Sequence, residues 1–372
     1  MSIEYRAAVL HAAQTSLTVE TVLADGLRRN DVLVRIKAAG LCHTDLEVIT
    51  GSLRYPMPIV LGHEAAGIVE EIGPEARGIA VGDHVVLSWN PHCGHCFYCD
   101  RDLPILCETY LAHGPKAVAF DGESRTRLAD GSELKQLMFI GGFGECAIVA
   151  DHQAIVVPKE LPFDRACLLG CGVMTGVGAV FNAAKVEPGA TVAVIGCGGV
   201  GLSAVNGAAL AGAERIIAID TVASKLELAR ELGATDTLNV SNADPVKAVR
   251  DMTGGGVHYS FEALGTKATA EQAFQMLRAG GTATIIGMVP FGIKIELHGY
   301  DFLRDRKIQG TSMGGNRFRV DMPRLLSLWR QGRLKLDHLI SGKIKLGEIN
   351  EGFAALKSAA PVRQLIDFGV AT

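Results

Sequence analysis

The sequence predicts an α/β protein in which a doubly wound parallel sheet is joined to a second, mainly β domain. From residue 191 onward, strand-like and helix-like segments alternate, which is typical of a parallel sheet covered by helices. The part before it consists mainly of short strand-like runs separated by turn residues. The chain has 372 residues, more than the ~250–300 at which a single core usually stops growing, so two domains are expected.

The composition excludes several classes of protein. Hydrophobic residues make up 48% and charged residues 20% of the chain, as in globular proteins and not in disordered ones. A net charge of −4 argues against a nucleic-acid partner. We see neither a signal peptide nor a run of ~18 apolar residues that would span a membrane. We therefore expect a cytoplasmic protein that binds neither nucleic acid nor membrane.

The N-terminal part predicts strands and one long loop. Residues 31–40 alternate, with Val32, Val34 and Ile36 on one face, which predicts a half-buried strand. Short apolar runs at 65–73 and 84–87 are further strands, bounded by Gly-Pro and Gly-Asp turn signals. Residues 112–137 are polar and contain two Asp-Gly pairs, which predicts a surface loop.

The second part predicts regular strands and helices. Strands are expected at 191–195, 215–220, 237–240, 259–263 and 282–288, and helices at 200–211, 223–232, 245–252 and 268–277. Helices at 322–331 and 349–357 and a strand at 364–368 follow. Because the N-terminal β region cannot easily close a core alone, we expect the C-terminal ~60 residues to return to it.

A glycine-rich segment between the first of these strands and its helix predicts a dinucleotide site. The pattern G-x-G-x-x-G is formed by Gly196, Gly198, Gly199, Val200 and Gly201. Such glycines let the backbone approach a pyrophosphate at the helix N-terminus. Asp220, after the next strand, would bind the ribose hydroxyls and repel a 2′-phosphate, which favours NAD over NADP. Lys225 is a further ribose contact or a solvated charge. A glycine-rich turn with a capping Asp is the alternative.

Four cysteines at C-x2-C-x2-C-x7-C spacing predict a structural metal site. They are Cys93, Cys96, Cys99 and Cys107. Four thiolates can enclose one tetrahedral zinc without an open position. An iron–sulfur cluster is the less favoured alternative, because no proline follows the last cysteine. Nine cysteines, an odd number in a long chain, argue against a disulfide framework.

A second metal site is predicted from residues far apart in the sequence. Cys42 and His63 are 21 residues apart, and Cys171 is the best candidate for a third ligand. Three such ligands leave one position open for water or substrate, which is typical of catalytic zinc. Thr44 could carry a proton outward, or it could form only a local hydrogen bond.

Together, the segment Gly62-His63-Glu64-Ala65-Ala66-Gly67, the four cysteines and the glycine-rich segment resemble the zinc-dependent medium-chain alcohol dehydrogenases. The likeness covers essentially the whole chain. It implies a GroES-like catalytic domain at 1–172 and 313–372, with a structural zinc lobe at 90–110. A Rossmann NAD-binding domain is implied at 173–312, with the active site in the cleft between the two.

The resemblance also implies roles for single residues. Catalytic zinc is expected on Cys42, His63 and Cys171, a ligand set known from alcohol dehydrogenase, and structural zinc on the four cysteines. His43 and Arg363 are expected at the NAD pyrophosphate, Thr175 near the nicotinamide and Thr44 at the start of a proton relay. Asp45 and Glu64 are expected to accept hydrogen bonds from the ligands.

The chain departs from the family at a few positions. Where animal liver-type enzymes have a relay histidine, it has Glu47, so the relay is expected to end either on this carboxylate or on water. Where the glutathione-dependent formaldehyde-oxidising class has acidic residues it has Leu53 and Tyr55, and where that class has arginine it has Leu111. The loop at 112–137 resembles that of the dimeric members more than that of the tetrameric bacterial ones.

We therefore expect a zinc- and NAD-dependent dehydrogenase of a primary, aromatic or allylic alcohol, working as a homodimer or a homotetramer. Trp89 lines the substrate pocket in the resembled family, although it could simply pack the domain core. The alternatives within enzymology are a nicotinoprotein with tightly bound NAD and a dehydrogenase of thiol-adduct formaldehyde. A zinc-ribbon binding module fused to a redox-sensing Rossmann domain would bind only one zinc, not two.

Overall fold

The computed structural model describes residues 3–357 and 362–369. Its strands are β1 (Ile3–Leu10), β2 (Thr18–Ala24), β3 (Asp31–Gly40), β4 (Ile59–Val60), β5 (Glu64–Ile72), β6 (His84–Leu87), β7 (Thr126–Leu128), β8 (Glu133–Gln136), β9 (Cys146–Ala150), β10 (Ala154–Val156), β11 (Thr191–Ile195), β12 (Arg215–Asp220), β13 (Asp236–Asn239), β14 (Val257–Glu262), β15 (Leu277–Ile285), β16 (Lys307–Gly310), β17 (Gly342–Ile344) and β18 (Gln364–Asp367). Its α-helices are α1 (His43–Thr50), α2 (Glu108–His113), α3 (Phe163–Ala166), α4 (Gly172–Gly178), α5 (Gly199–Leu210), α6 (Ala223–Glu231), α7 (Pro245–Thr253), α8 (Lys267–Gln275), α9 (Phe318–Arg330) and α10 (Ile349–Lys357).

Contacts between Cα atoms divide the chain into two units. Unit 1 comprises residues 1–171, 317–319 and 340–372, and unit 2 comprises residues 172–316 and 320–339. Residues 320–339, which the sequence places with the catalytic domain, therefore make their contacts within unit 2. The exact domain boundaries predicted from the sequence stay a prediction.

Unit 1 is built from two β structures. One is a closed barrel in the order β1-β2-β7-β8-β4. The other is a sheet in the order β10-β6-β5-β3-β18-β17, in which β9 also pairs with β3. Leu365 of β18 lies opposite Gly40 of β3, so the C-terminal strand completes the N-terminal sheet.

Two sequence-based expectations for unit 1 are wrong. β3 is not half-buried, because it has β5, β9 and β18 as neighbours and is buried along almost its whole length. Residues 112–137 are not a loop throughout, because β7 and β8 are barrel strands. Arg125, which looks like a surface residue in the sequence, is buried and its Nε lies 2.7 Å from Oδ2 of Asp31. This ion pair compensates the buried charge of Arg125, for which the sequence alone shows no partner.

Unit 2 contains a parallel sheet in the order β13-β12-β11-β14-β15-β16. Its core packs Ile217, Ile219, Val249 and Phe274 with other apolar side chains. The strand order reverses direction between β11 and β14, and ligands of doubly wound sheets bind at such a point. The predicted α/β fold class, a doubly wound parallel sheet together with a mainly β domain, is confirmed.

Two helices of unit 2 begin at capping side chains that the sequence supplies. Asp244 accepts hydrogen bonds from the backbone N–H groups of Val246 and Lys247 at the start of α7. Thr266 accepts one from Thr269 at the start of α8. Such caps satisfy N–H groups that lack partners in the first helical turn.

Within the described ranges, no single helix is long and apolar enough to cross a membrane, although the bent pair 163–170 and 172–184 passes that test on length and composition.

Candidate active site

Three potential zinc ligands of unit 1 lie close together although they are distant in sequence. Cys42 directly precedes α1, His63 directly precedes β5, and Cys171 is the last residue of its segment of unit 1. Their donor atoms and an oxygen of Glu64 all lie within 4.8 Å of one another, and all four residues are buried. Pairing of β3 with β5 sets Gly40 opposite Glu64, which brings the chain before α1 beside His63.

Asp45 orients two of these ligands. Its carboxylate accepts hydrogen bonds from the backbone N–H of Cys42 at 3.2 Å and of Gly62 at 2.9 Å. Its Oδ1 also lies 3.3 Å from Nδ1 of His63, and the carboxylate is fully buried. With Nδ1 occupied by Asp45, Nε2 is the His63 nitrogen that would bind a metal, since an acceptor on the second nitrogen commonly orients a ligating histidine.

Glu64 connects the cluster to the segment before β18. Its Oε1 lies 3.3 Å from the guanidinium of Arg363, which also donates to the carbonyl of Leu41 at 2.9 Å. Burial raises the pKa of the Glu64 carboxyl to about 7, although the charge of Arg363 acts in the opposite direction. Arg363 is itself buried by these contacts. Its predicted role at the NAD pyrophosphate stays a prediction.

The donor set fits a zinc ion. Tetrahedral zinc with bonds of ~2.0–2.3 Å keeps its ligand atoms ~3.3–3.8 Å apart, which is compatible with their mutual distances here. A hydrogen bond with Cys171 holds the pKa of the Cys42 thiol well below its usual value despite burial, and thiolate is the form that binds metal. The carboxylate of Glu64 is already paired with Arg363. The three best ligands are therefore Cys42, His63 and Cys171.

The four-cysteine lobe, residues 93–107, forms a second donor set. The sulfur atoms of Cys93, Cys96, Cys99 and Cys107 all lie within 4.8 Å of one another. The backbone N–H of Cys93 points to Sγ of Cys107 at 3.2 Å, and that of Glu108 points to Sγ of Cys96 at 3.5 Å. The second of these bonds lowers the pKa of Cys96 to about 6. Four sulfurs so arranged fit a closed zinc site.

Aromatic side chains lie beside the cluster of Cys42, His63, Glu64 and Cys171, here called the first cluster. The ring of Trp89 is buried, with its centroid 6.3 Å from that of His63 and 6.2 Å from that of Tyr110. Tyr110 in turn lies 5.6 Å from Phe139. Sequence reasoning missed Tyr110, because it predicted no helix at α2 and did not single this residue out.

The start of α1 carries the predicted relay residues. Oγ1 of Thr44 lies 3.8 Å from Sγ of Cys42. Glu47 follows one helical turn later, and both residues are half-buried. Residues three apart lie on the same face of a helix, so Thr44 and Glu47 are neighbours on α1. His43, expected at the pyrophosphate, is exposed at the first position of this helix.

In unit 2 the predicted dinucleotide residues come together at the carboxyl end of β11. A Cβ atom on Gly201 would lie 1.7 Å from the carbonyl oxygen of Gly196, so only glycine allows this turn. Asp220 accepts hydrogen bonds from the backbone N–H of Cys197 and of Thr221, both at 2.7 Å. Its carboxylate is thereby fixed beside the glycine-rich turn.

The remaining predicted cofactor residues of unit 2 lie on two helices. Lys225, on α6, is half-buried and its charge acts on the Cys197 thiol, whose pKa is raised by burial and by Asp220. Gly198, Gly199 and Val200 begin α5. Thr175 is buried in α4.

Comparison with known proteins identifies both parts of the chain. Residues 28–159 match the model of the alcohol dehydrogenase GroES-like domain, and residues 199–329 match that of the zinc-binding dehydrogenases. An S-(hydroxymethyl)glutathione dehydrogenase of Synechocystis sp. is 37% identical over 98% of this chain and 99% of its own. An NDMA-dependent alcohol dehydrogenase of Amycolatopsis methanolica is 38% identical over 97% and 98%. The crystal structure of benzyl alcohol dehydrogenase from Acinetobacter calcoaceticus is similar with a TM-score of 0.93, 32% identity and coverage of 98% and 99%.

Proposed function

This chain belongs to the zinc-dependent medium-chain alcohol dehydrogenases, which are oxidoreductases that use NAD, and we propose that it oxidises primary alcohols with an aromatic or allylic body to aldehydes. The observation that carries the proposal is the buried cluster of Cys42, His63 and Cys171 with aromatic rings beside it. Three ligands leave a position for the alcohol oxygen, and a flat apolar body would lie against the rings.

Within unit 1, one group of residues would bind the two metal ions and another would transfer the alcohol proton. Cys42, His63 and Cys171 would hold the catalytic zinc, and the four-cysteine lobe would hold the structural zinc. Bound zinc would supply a Lewis acid for the alcohol oxygen, and bound NAD a hydride acceptor. Thr44 takes the alcohol proton at Oγ1 and passes it toward the carboxylate of Glu47, its neighbour one turn later on α1.

Unit 2 would hold the cofactor through its glycine-rich turn. The backbone of Gly198 to Gly201 begins α5 and would face the pyrophosphate. Because the hydrogen bonds from Cys197 and Thr221 fix the Asp220 carboxylate, a 2′-phosphate would meet a negative charge that cannot move away. We therefore expect NAD to be preferred to NADP, measured as the ratio of kcat/KM values.

The preference for an aromatic body rests on Trp89. An indole face stacks with an aromatic ring with ~0.5–1.5 kcal/mol beyond the burial of its area. Thr44, which carries one methyl group more than serine, narrows the space at the start of α1 and disfavours secondary alcohols. The named substrate of the Acinetobacter calcoaceticus relative, benzyl alcohol, has the chemistry that this surface would accept.

A dehydrogenase of S-(hydroxymethyl)glutathione is the second candidate, because the Synechocystis sp. relative carries that name. A charged thiol adduct needs charged side chains as anchors. The positions at which the glutathione-dependent class carries them hold Leu53, Tyr55 and Leu111 here, and Leu111 is 51% exposed. An exposed leucine offers such an adduct no charge, which makes this candidate the weaker one.

A third candidate is a nicotinoprotein that keeps its NAD bound. The Amycolatopsis methanolica relative is named an NDMA-dependent alcohol dehydrogenase. Absorbance of reduced nicotinamide in the purified protein, before any cofactor is added, distinguishes retained from exchangeable NAD. Turnover with NDMA and no added NAD would favour this candidate.

One panel of substrates tests the proposal. Benzyl alcohol, 1-hexanol, 2-propanol and S-(hydroxymethyl)glutathione are each assayed with NAD and with NADP, and kcat/KM is compared. The proposal expects the order benzyl alcohol, 1-hexanol, 2-propanol with NAD. A preference for 2-propanol contradicts the substrate class, and the highest value for S-(hydroxymethyl)glutathione would establish the second candidate.

We further propose that the chain forms a homodimer through unit 2, with a homotetramer as the alternative. Large apolar side chains are exposed between β15 and β16, among them Met288, Phe291, Tyr300 and Leu303. Large exposed apolar patches commonly mark a protein interface, and these side chains all come from one segment of the chain. Light scattering of the wild type and of Phe291→Asp tests this, and a monomeric wild type would contradict it.

A further inference from the structure

Glu262, the last residue of β14, is completely buried and joins two loops of unit 2. Its Oε1 accepts hydrogen bonds from the backbone N–H of Leu264 at 2.9 Å and of Gly265 at 2.7 Å. It accepts a third from the hydroxyl of Thr269 at 2.7 Å, in the first turn of α8. One carboxylate oxygen thus fixes the whole segment that links β14 to α8.

The backbone of the same residue fixes a second segment. The carbonyl oxygen of Glu262 accepts hydrogen bonds from the N–H of Ile286 at 2.8 Å and of Gly287 at 3.0 Å, directly after β15. A Cβ atom on Gly287 would lie 2.1 Å from the nitrogen of Gly265, and one on Gly265 would lie 2.6 Å from the carbonyl oxygen of Met288. The two segments therefore touch backbone to backbone, with Glu262 at their base.

The first segment lies directly over the glycine-rich turn. A Cβ atom on Gly196 would meet the side chain of Leu264 at 2.6 Å, and one on Gly201 would meet Cβ of Ala263 at 3.5 Å. Residues 263–265 thus form a second wall beside the turn at the carboxyl end of β11. Leu264 is 56% exposed, so one side of this wall is open to a ligand.

The carboxylate of Glu262 is expensive to bury. Over the described ranges it has no ion-pair partner, and its Oε2 receives no hydrogen bond. Burial of an acidic group without a cation costs stability unless its donors compensate. Its three donors all belong to the segment over the glycine-rich turn or to the helix that follows. The arrangement of this segment, and not the sheet beneath, is what the carboxylate stabilises.

We propose that Glu262 is a positioning residue for the cofactor, which holds residues 263–265 as the second wall of the dinucleotide groove. This inference rests on the proposed function only in requiring that NAD binds at the glycine-rich turn. Without the carboxylate, the N–H groups of Leu264 and Gly265 lose their acceptor. Residues 263–265 then no longer hold a single conformation in the cofactor-free protein. The affinity for NAD(H) is then reduced by the free energy needed to order residues 263–265.

Calorimetric titration of the zinc-loaded, full-length protein with NADH tests the inference. Removal of hydrogen bonds to a charged group predicts that Glu262→Ala raises the Kd for NADH about tenfold or more. Glu262→Gln keeps an acceptor oxygen and should restore most of the affinity. Thr269→Val removes one donor and should give an intermediate Kd. Amide hydrogen exchange at Leu264 and Gly265 should become faster in Glu262→Ala than in the wild type.

Ser260→Ala is the matched control, because Ser260 is a fully buried residue of the same strand whose hydroxyl donates to the carbonyl of Ala273 at 2.7 Å. It should lower the melting temperature and leave the Kd for NADH unchanged. An unchanged Kd in folded Glu262→Ala, or an equal rise in Ser260→Ala, would overturn the positioning role while NAD binding by the wild type still stood. A wild type without affinity for NADH would overturn the proposed function as well.

Discussion

The ligands of the four-cysteine lobe lie within 15 residues of one another, whereas Cys42 and Cys171 are 129 residues apart. Three of the four lobe cysteines are only partly buried, while every member of the first cluster is buried. The lobe contains only sulfur ligands, and backbone N–H groups contact them. The first cluster adds an imidazole, with carboxylates and an arginine around it.

The lobe is a site whose metal would stabilise its own local fold. The first cluster is a site that forms only when distant parts of the chain have folded together. Ligands close in sequence can gather around a metal before the rest of the chain is ordered, so the metal stabilises the segment directly. The ligands of the first cluster come from distant segments of the chain and meet only when β3 and β5 have paired. The folded chain then determines which groups surround them. Loss of a ligand should therefore reduce stability in the lobe and turnover in the first cluster.

The largest effect is expected for Cys171→Ala. Loss of a ligand removes the catalytic metal, and the several kcal/mol of stabilisation that it supplies predict a fall in kcat/KM of about a thousandfold or more. Metal analysis should find one zinc per chain instead of two, and NADH titration should find unchanged binding.

Cys167→Ala is the control, since this buried cysteine donates to the carbonyl of Asp164 at 3.4 Å and belongs to neither cluster. It should retain two zinc ions and nearly full turnover. If Cys171→Ala kept both metal ions and its activity, Cys171 would not be the third ligand and the first cluster would have to be redrawn.

For the lobe, Cys99→Ser should act on stability first. A structural zinc contributes folding free energy, so we expect a lower melting temperature and a lower yield of folded protein, with normal kcat in the fraction that folds. Cys146→Ser, which makes the same change at a buried position of β9, should cost less and keep both metal ions. If Cys99→Ser had normal stability but lost turnover, the distinction between a structural lobe and a catalytic first cluster would be wrong.

Sequence reasoning proposed both sets of ligands, whose donor atoms the structure brings together, because zinc chemistry admits few residue types and few spacings. It also placed Asp220 and the glycine-rich turn, which depend on one strand, one turn and one helix. It could not predict that Arg363 reaches Glu64, since nothing in a sequence states which residues meet across 299 positions. For the same reason it could not predict that Arg125 is buried beside Asp31, which lies 94 positions earlier in β3.

A smaller effect, about 10–100-fold in activity or zinc affinity, is expected for Asp45→Asn, because groups that orient a metal ligand typically contribute that much. The amide keeps one oxygen but cannot accept from Cys42, Gly62 and His63 as a carboxylate does. Asp31→Asn breaks a buried ion pair elsewhere in unit 1, so it should reduce stability without changing zinc content. Equal zinc content and equal kcat/KM in Asp45→Asn and the wild type would show that the first cluster does not depend on its surroundings.

The smallest effect concerns the aromatic rings, which lie beside the first cluster. Trp89→Ala should lower kcat/KM for benzyl alcohol about 2- to 12-fold more than for 1-hexanol, because stacking is worth ~0.5–1.5 kcal/mol beyond area burial. The difference between the two alcohols isolates the ring from general damage to the site, since both substrates need the same metal and cofactor. Trp329→Ala changes the other tryptophan, a half-buried residue of α9, and should alter neither value. Equal losses on both alcohols would mean that Trp89 only packs the interior of unit 1, and that the first cluster selects its substrate by other groups.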